Sequence, residues 1–167
     1  ARCVFARVRR IRMGGKAMTT ATYDFDTQLT AGEAAEHVLD NLFAAKFEIS
    51  VVDRASQRSG IDRVFTRRDG GHRLTIEYKT DWTASKTGNA FVETVSVDTA
   101  SKAGWAYTSR ADFLIYYLPD DRLIYVIQFS KLRRRLDRWN RQYRQKAIPN
   151  QGYNTVGLLV PLREFEQ

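Results

Sequence analysis

The spacing of apolar and polar positions divides the chain into a first amphipathic helix, a series of short strands, and a second, strongly basic helix. Ala35, Val38, Leu39, Leu42 and Phe43 recur at helical intervals, with Glu33, Glu36, Asp40 and Lys46 around the other side. Just before them, Thr30-Ala31-Gly32-Glu33 has the spacing of a capping box, in which threonine and glutamate reciprocally satisfy free backbone donors. The pattern therefore predicts a helix from Thr30 to about Phe47.

Beyond that point the period shortens. Residues 47–52 read as a strand, 54–60 as a polar turn, and 61–66 as a second strand. Asp69-Gly70-Gly71 supplies a hairpin turn into a third strand over 72–80. A fourth strand is expected over 90–97, and a short helix over 103–109. Residues 111–118 are almost wholly apolar, as in a strand buried on both faces. A strand over 122–129, a basic helix over 131–146 and a last strand over 154–162 complete the series. Helices interspersed with strands in this order predict a mixed α/β sheet. No repeat or Pro/Gly-rich linker interrupts it, so 18–167 is expected to be a single domain.

Composition narrows the chemistry. One cysteine, Cys3, excludes an internal disulfide framework and makes a reducing cytoplasm the expected compartment. With only His37 and His72 beside it, a zinc site of nitrogen and sulfur ligands is not expected. Any metal would be held by carboxylates, which suits magnesium or manganese. No apolar run reaches the roughly 20 residues of a membrane-spanning helix. The net charge of +8 suggests a nucleic-acid partner, but it is unevenly placed. Residues 1–17 hold six basic side chains and no acid, which leaves +2 for the remainder. They are expected to be a basic arm or an upstream extension outside the fold.

The third strand carries the candidate chemistry. In Leu74-Thr75-Ile76-Glu77-Tyr78-Lys79, alternation puts Glu77 and Lys79 on one face, roughly 6 to 7 Å apart along the strand. If the hairpin pairs the second strand with the third, Asp62 arrives beside Glu77. Two adjacent carboxylates repel unless a cation lies between them, so the arrangement suits a divalent metal. Such an ion polarises a phosphate oxygen and lowers the pKa of bound water, while Lys79 stabilises the developing charge. Glu and Lys are common residues, and the Glu-x-Lys triplet alone has no diagnostic value. Its context, with Gly60-Ile61-Asp62 one strand earlier and a glutamate-bearing helix before both, makes it informative.

In that context, Gly60-Ile61-Asp62 followed by Leu74-Thr75-Ile76-Glu77-Tyr78-Lys79 resembles the signature of the PD-(D/E)XK nuclease superfamily. Gly32, Glu36, Val38 and Leu39 look like the first helix of archaeal-type Holliday junction resolvases and related phage nucleases. The resemblance covers roughly residues 32–118. It implies a restriction-endonuclease-like mixed central sheet flanked by helices, and a metal-dependent DNA endonuclease using Mg2+ or Mn2+. Asp62, Glu77 and Lys79 would be catalytic, and by register Glu36 would join Asp62 and Glu77 at the metal. Glu33 is the competing candidate, although its capping-box role would account for it structurally. The proline that precedes the first acid in the family pattern is replaced by Ile61. A stretch similar to Lys86-Thr87-Gly88-Asn89-Ala90-Phe91-Val92-Glu93 follows the Glu-x-Lys strand in some phage-type members. It makes Glu93 and Asn89 additional site candidates, and makes Lys86 and Ser109 candidates for phosphate or base contacts. Asp112 reads instead as an end-of-strand hydrogen-bonding residue.

The second helix carries Arg133, Arg134, Arg138 and Arg141 among eight basic residues, and these are the candidates for tracking a DNA backbone. Leu132, Leu136, Trp139 and Tyr143 fall at i, i+4, i+7 and i+11, so its aromatics are expected in the core. A two-fold dimer is one arrangement that would cut both strands of a duplex. The alternative function is a nucleic-acid-binding module on the same fold without catalysis.

Overall fold

The computed structural model describes residues 9–13 and 25–166. The elements are β1 (Arg9–Arg12), α1 (Phe25–Phe43), β2 (Phe47–Val51), α2 (Arg54–Arg58), β3 (Arg63–Arg67), β4 (Arg73–Thr80), α3 (Ala84–Thr87) and β5 (Asn89–Val97). They continue with β6 (Lys102–Ala103), α4 (Trp105–Thr108), β7 (Phe113–Leu118), β8 (Leu123–Gln128), α5 (Phe129–Gln142), β9 (Gln145–Pro149) and β10 (Asn154–Pro161). A final 3-10 turn spans Leu162–Glu166.

The architecture is mixed α/β, but with two sheets rather than one. The larger has the order β1-β8-β7-β4-β3-β2, and the smaller the order β6-β5-β10-β9. In the larger sheet β2, β3 and β4 run antiparallel, and β7 then lies parallel to β4. A parallel neighbour needs a crossover. Here the crossover contains α3, β5, β6 and α4, and β5 seeds the second sheet.

β7 shows why its sequence is almost continuously apolar. Its odd positions, Phe113, Ile115 and Tyr117, join a core with Phe47, Phe65, Ile76, Tyr78 and the α1 residues Ala35, Leu39 and Phe43. Its even positions, Leu114, Tyr116 and Leu118, join a second core with β5, β10, α4, α5 and Phe165. Full burial of each large apolar side chain contributes roughly 1.5–3 kcal/mol, so both layers hold this strand. Leu132, Leu136 and Trp139 of α5 are buried as the spacing predicts, and Tyr143 is half-buried against them.

Several boundaries depart from expectation. α1 begins at Phe25, so Thr30 lies within the helix rather than at its start. The helix also ends at Phe43, because Phe47 opens β2. The turn over 54–60 contains the short helix α2, whose first turn is capped by Asp53 Oδ1 accepting from the Ser56 amide at 2.8 Å. α5 stops at Gln142, and Gln145–Pro149 instead forms the edge strand β9. Arg9–Arg12, expected outside the fold, pair antiparallel with β8 in register with Leu123–Val126. The expected domain boundary at residues 17 and 18 lies outside the described residues.

Candidate active site

The β3–β4 pairing creates the convergence. The Asp62 amide donates to the Ile76 carbonyl at 2.8 Å, and Asp62 Oδ2 accepts from the Tyr78 amide at 2.8 Å. The carboxylate thus sits where an aspartate can continue the ladder with its side chain, one position ahead of β3. Across β4, register pairs Glu77 with Leu114 and Lys79 with Tyr116. Glu77 and Lys79 therefore face the side of the sheet that meets the smaller sheet, and Ile76 and Tyr78 face α1.

Lys79 Nζ lies 2.8 Å from Glu77 Oε1. The Glu77 side chain is only 3% exposed, whereas that of Lys79 is 36% exposed, so part of the lysine side chain reaches solvent beside a buried carboxylate. The other oxygen, Glu77 Oε2, is buried and accepts no hydrogen bond. Gly60 faces it. A β-carbon at Gly60 would lie 2.8 Å from Oε2 and 2.8 Å from Ser109 Cα, and the residue has φ of +74°. Only glycine fits there without moving the backbone of Ser109. The Ser109 hydroxyl donates to the Gly60 carbonyl at 2.8 Å, which closes the same wall.

Electrostatics follow from this crowding. Burial pushes the Glu77 carboxyl above its usual range, and nearby Asp62 adds to the rise, while the Lys79 ammonium opposes it. Burial alone would lower the Lys79 ammonium. Glu77, then Asp62 and Glu93, outweigh that effect and raise it. Lys79 is thus a fixed cation among three acids. Glu93 is itself raised by burial, and its Oε1 accepts from the Trp105 amide at 3.3 Å. Gly104 allows this approach, because a β-carbon there would fall 2.5 Å from the Glu93 carbonyl oxygen.

Glu36 does not join the group as expected. α1 packs on the Ile76 and Tyr78 side of the sheet, and there Arg63 Nη2 donates to Glu36 Oε2 at 2.8 Å. Arg63 is buried, pairs also with Asp40 at 3.1 Å, and lies over the Tyr78 ring. Its Nη1 donates to the Asp62 carbonyl at 3.0 Å, so the cluster braces the candidate site from behind. The guanidinium takes the helical carboxylate because a buried arginine requires counter-charges. Glu33 is exposed and one turn removed from that pair.

Among the described residues no group of three or more His, Cys, Asp or Glu is arranged to hold a metal ion. Two carboxylates remain, Asp62 and Glu77, and Glu77 Oε2 lacks a partner. That donor set fits magnesium, which commonly takes one or two carboxylates and completes its shell with water and phosphate oxygens.

The remaining candidates separate. Asn89 opens β5 and its Nδ2 donates to the Thr87 carbonyl at 2.8 Å; Lys86 is exposed in the last turn of α3. Ser109 is buried and committed to Gly60, so it is a wall of the site rather than a surface contact. Arg133 donates to the Ala106 carbonyl at 3.4 Å and to that of Ser109, closing the end of α4. Arg138 pairs with Glu164. Arg134 and Arg141 are exposed. Asp112 accepts from the Thr75 amide and hydroxyl, both at 2.8 Å, as an end-of-strand residue.

The sequence reading did not single out Arg63, and it quoted Gly60 only as part of a motif, without the close approach its bare α-carbon permits. Arg63 had one available signal, the acidic pair Glu36 and Asp40 at i, i+4 on a helix bearing an apolar stripe. Asp81 was also missed. It accepts from the Thr83 and Ala84 amides at 2.7 and 2.8 Å and from the Tyr116 hydroxyl, which fixes the chain as it leaves Lys79.

Comparison with protein-family models, with curated proteins and with solved structures returns no match to this chain.

Proposed function

We propose that this chain is a metal-dependent DNA endonuclease on a restriction-endonuclease-like sheet. The observation that carries the reading is Glu77: a buried carboxylate with one oxygen on Lys79 and the other unpartnered, beside Asp62 and a bare glycine. A buried polar atom without a partner is costly unless something outside the protein completes it. The triple antiparallel run followed by a parallel strand, with the acids at its centre, supports the same reading.

Asp62 and Glu77 would hold Mg2+ or Mn2+, which when bound supplies Lewis-acid polarisation of phosphate and a more acidic water. Lys79, partly exposed and held charged by its neighbours, would orient the attacking water and stabilise charge on the phosphate oxygens. Asp62 is itself oriented by the Tyr78 amide, and Ser109 and Gly60 keep solvent from the back of Glu77.

The test is a cleavage panel with Mg2+ or Mn2+ over linear duplex, single-stranded, flapped and four-way junction DNA. Glu77→Gln and Asp62→Asn are expected to abolish cutting while retaining the fold. Full metal-dependent cleavage by purified Glu77→Gln protein would sink the proposal.

One observation favours a second reading, a DNA-binding module without catalysis. Arg63 has taken Glu36, which leaves the acid pair without its third member. That reading predicts salt-sensitive DNA binding and no cutting with any divalent ion.

A further inference from the structure

The short helix α4 lies between the acid-bearing strands and the basic helix α5. At its start the Trp105 amide binds Glu93, and at its end Ser109 walls in Glu77 through Gly60. Its flank lies on α5, where Arg133 donates to the Ala106 and Ser109 carbonyls. Between these contacts stands Tyr107. It is 46% exposed, unusual for an aromatic residue in an element otherwise buried at Trp105 and Ala106. Its ring is not loose, because the hydroxyl accepts a hydrogen bond from Asn140 Nδ2 at 2.9 Å.

Exposed arginines lie on the chain just beyond this ring and on the helix it is bonded to. Asn140 and Arg133 are seven residues apart and so form one row along α5, the row that meets α4. Arg134 and Arg141 form the next row outward, with Asp137 the only acid of the helix. Both arginines are exposed, as is Arg110, three residues beyond Tyr107. The Arg110 amide is tied to the Ser59 carbonyl at 2.8 Å, which keeps this segment beside Gly60 and the acid pair. An anchored, half-exposed aromatic ring with exposed arginines on the neighbouring segments is an arrangement suited to a nucleic-acid base on the ring face and phosphates on the guanidinium groups.

We propose that Tyr107 is a stacking platform for an unpaired stretch of DNA strand, held by Arg110, Arg134 and Arg141 and leading to the Asp62–Glu77–Lys79 centre. The inference deepens the nuclease reading and rests on it for the identity of the strand as DNA. It assigns a substrate class: DNA with a single-stranded segment next to the scissile bond. A base paired in a duplex has no exposed face to offer the ring, and a blunt duplex would meet only the arginines.

The experiment measures binding without metal, by anisotropy of labelled DNA in EDTA, for a single strand, a blunt duplex and the same duplex with a single-stranded tail. Tyr107→Ala is expected to weaken binding of the single strand and the tailed duplex about tenfold and to leave the blunt duplex unchanged. Tyr107→Trp is expected to retain binding, and its added emission should be quenched by the single strand and not by the blunt duplex. The two arms are independent, so a Tyr107→Ala protein that fails to fold leaves the emission measurement to decide. Unchanged single-strand affinity in Tyr107→Ala, an equal loss for all three DNAs, or no quenching in Tyr107→Trp would overturn the proposal. Protein that shows the expected binding pattern but never cleaves DNA keeps this assignment and removes the nuclease. Protein that cleaves while Tyr107→Ala binds tailed DNA normally does the reverse.

Discussion

Arg63 and Glu36 are joined at 2.8 Å across the α1–sheet boundary, on the opposite side of the sheet from Glu77. The same guanidinium holds Asp40 and the carbonyl of Asp62. One side chain therefore links the first helix, the start of β3 and the backbone of a candidate site residue. Removing it strands two carboxylates at a partly buried boundary. Arg63→Met is expected to cost about 3 kcal/mol, the lower end for a broken buried pair because both acids retain some exposure. Urea unfolding of the two proteins measures this, and a loss below 1 kcal/mol would show that the cluster is not a brace.

Lys79 acts in the proposed reaction as a compact charge in contact with Glu77. Lys79→Ala should lower turnover by roughly 10²–10³, the range for removing one preorganised stabilising group, with DNA affinity nearly unchanged. Lys79→Arg should not restore it, since a planar guanidinium cannot reproduce a single Nζ contact of 2.8 Å. Single-turnover cleavage beside an anisotropy titration separates the two quantities. A variant that binds and cuts like the parent would remove Lys79 from the chemistry.

Gly60 is constrained twice, by its φ of +74° and by the space its missing β-carbon would need. Gly60→Ala is expected to destabilise the fold by about 1–3 kcal/mol through strain alone, before any displacement of Ser109. Gly70, also at positive φ but with nothing within 4 Å of a β-carbon, is the control and should suffer the smaller loss. Thermal unfolding of the pair tests this, and equal losses would mean that crowding at Glu77 contributes nothing.

Glu164 supplies one acid-dependent contribution to stability. Although its burial acts to raise the carboxyl, hydrogen bonds from Trp139 and Tyr143 and the charges of Arg138 and Arg135 hold it below 4.5. A carboxyl lowered in the folded state binds fewer protons there than in the unfolded chain. Its stabilisation is therefore full above about pH 4.5 and is lost as the pH falls through the lowered value. Unfolding followed between neutral and acid pH should show a steeper acid loss in the parent than in Glu164→Gln. Identical slopes would disprove the linkage.

How far these features could be read from the chain depends on the range of the interaction behind each one. Asp62, Glu77 and Lys79 converge through a hairpin whose turn, Asp69-Gly70-Gly71, is local, and period-2 alternation then fixes their face. The pairing of Glu36 with Arg63 was not legible, because helical spacing cannot say which side of a sheet the helix covers. The answer lay with Phe47, Phe65 and Tyr78, distant in sequence and packed against Leu39 and Phe43. Arg63 was missed because arginine is seldom buried, and its partners come from another element. The end of α5 was misplaced for a different reason. Gln145–Pro149 has no alternating apolar pattern, being exposed throughout, and becomes a strand only because β10 offers it a ladder. The division into two sheets was equally hidden, since nothing local distinguishes a crossover that packs as helix from one that begins a sheet of its own.

The pairing of β1 with β8 bears on how the protein must be handled. β8 is a strand of five buried residues in six, and Arg9–Arg12 occupy its outer side. Trimming the chain to residue 18 would uncover a row of unpaired amides and carbonyls along an apolar strand, the kind of edge that recruits other chains. The four-residue segment, three of its positions arginine, thus serves as a charged guard strip. Shortened protein that aggregates where the full chain stays dispersed would be reporting the loss of that strip, not a failure of the core.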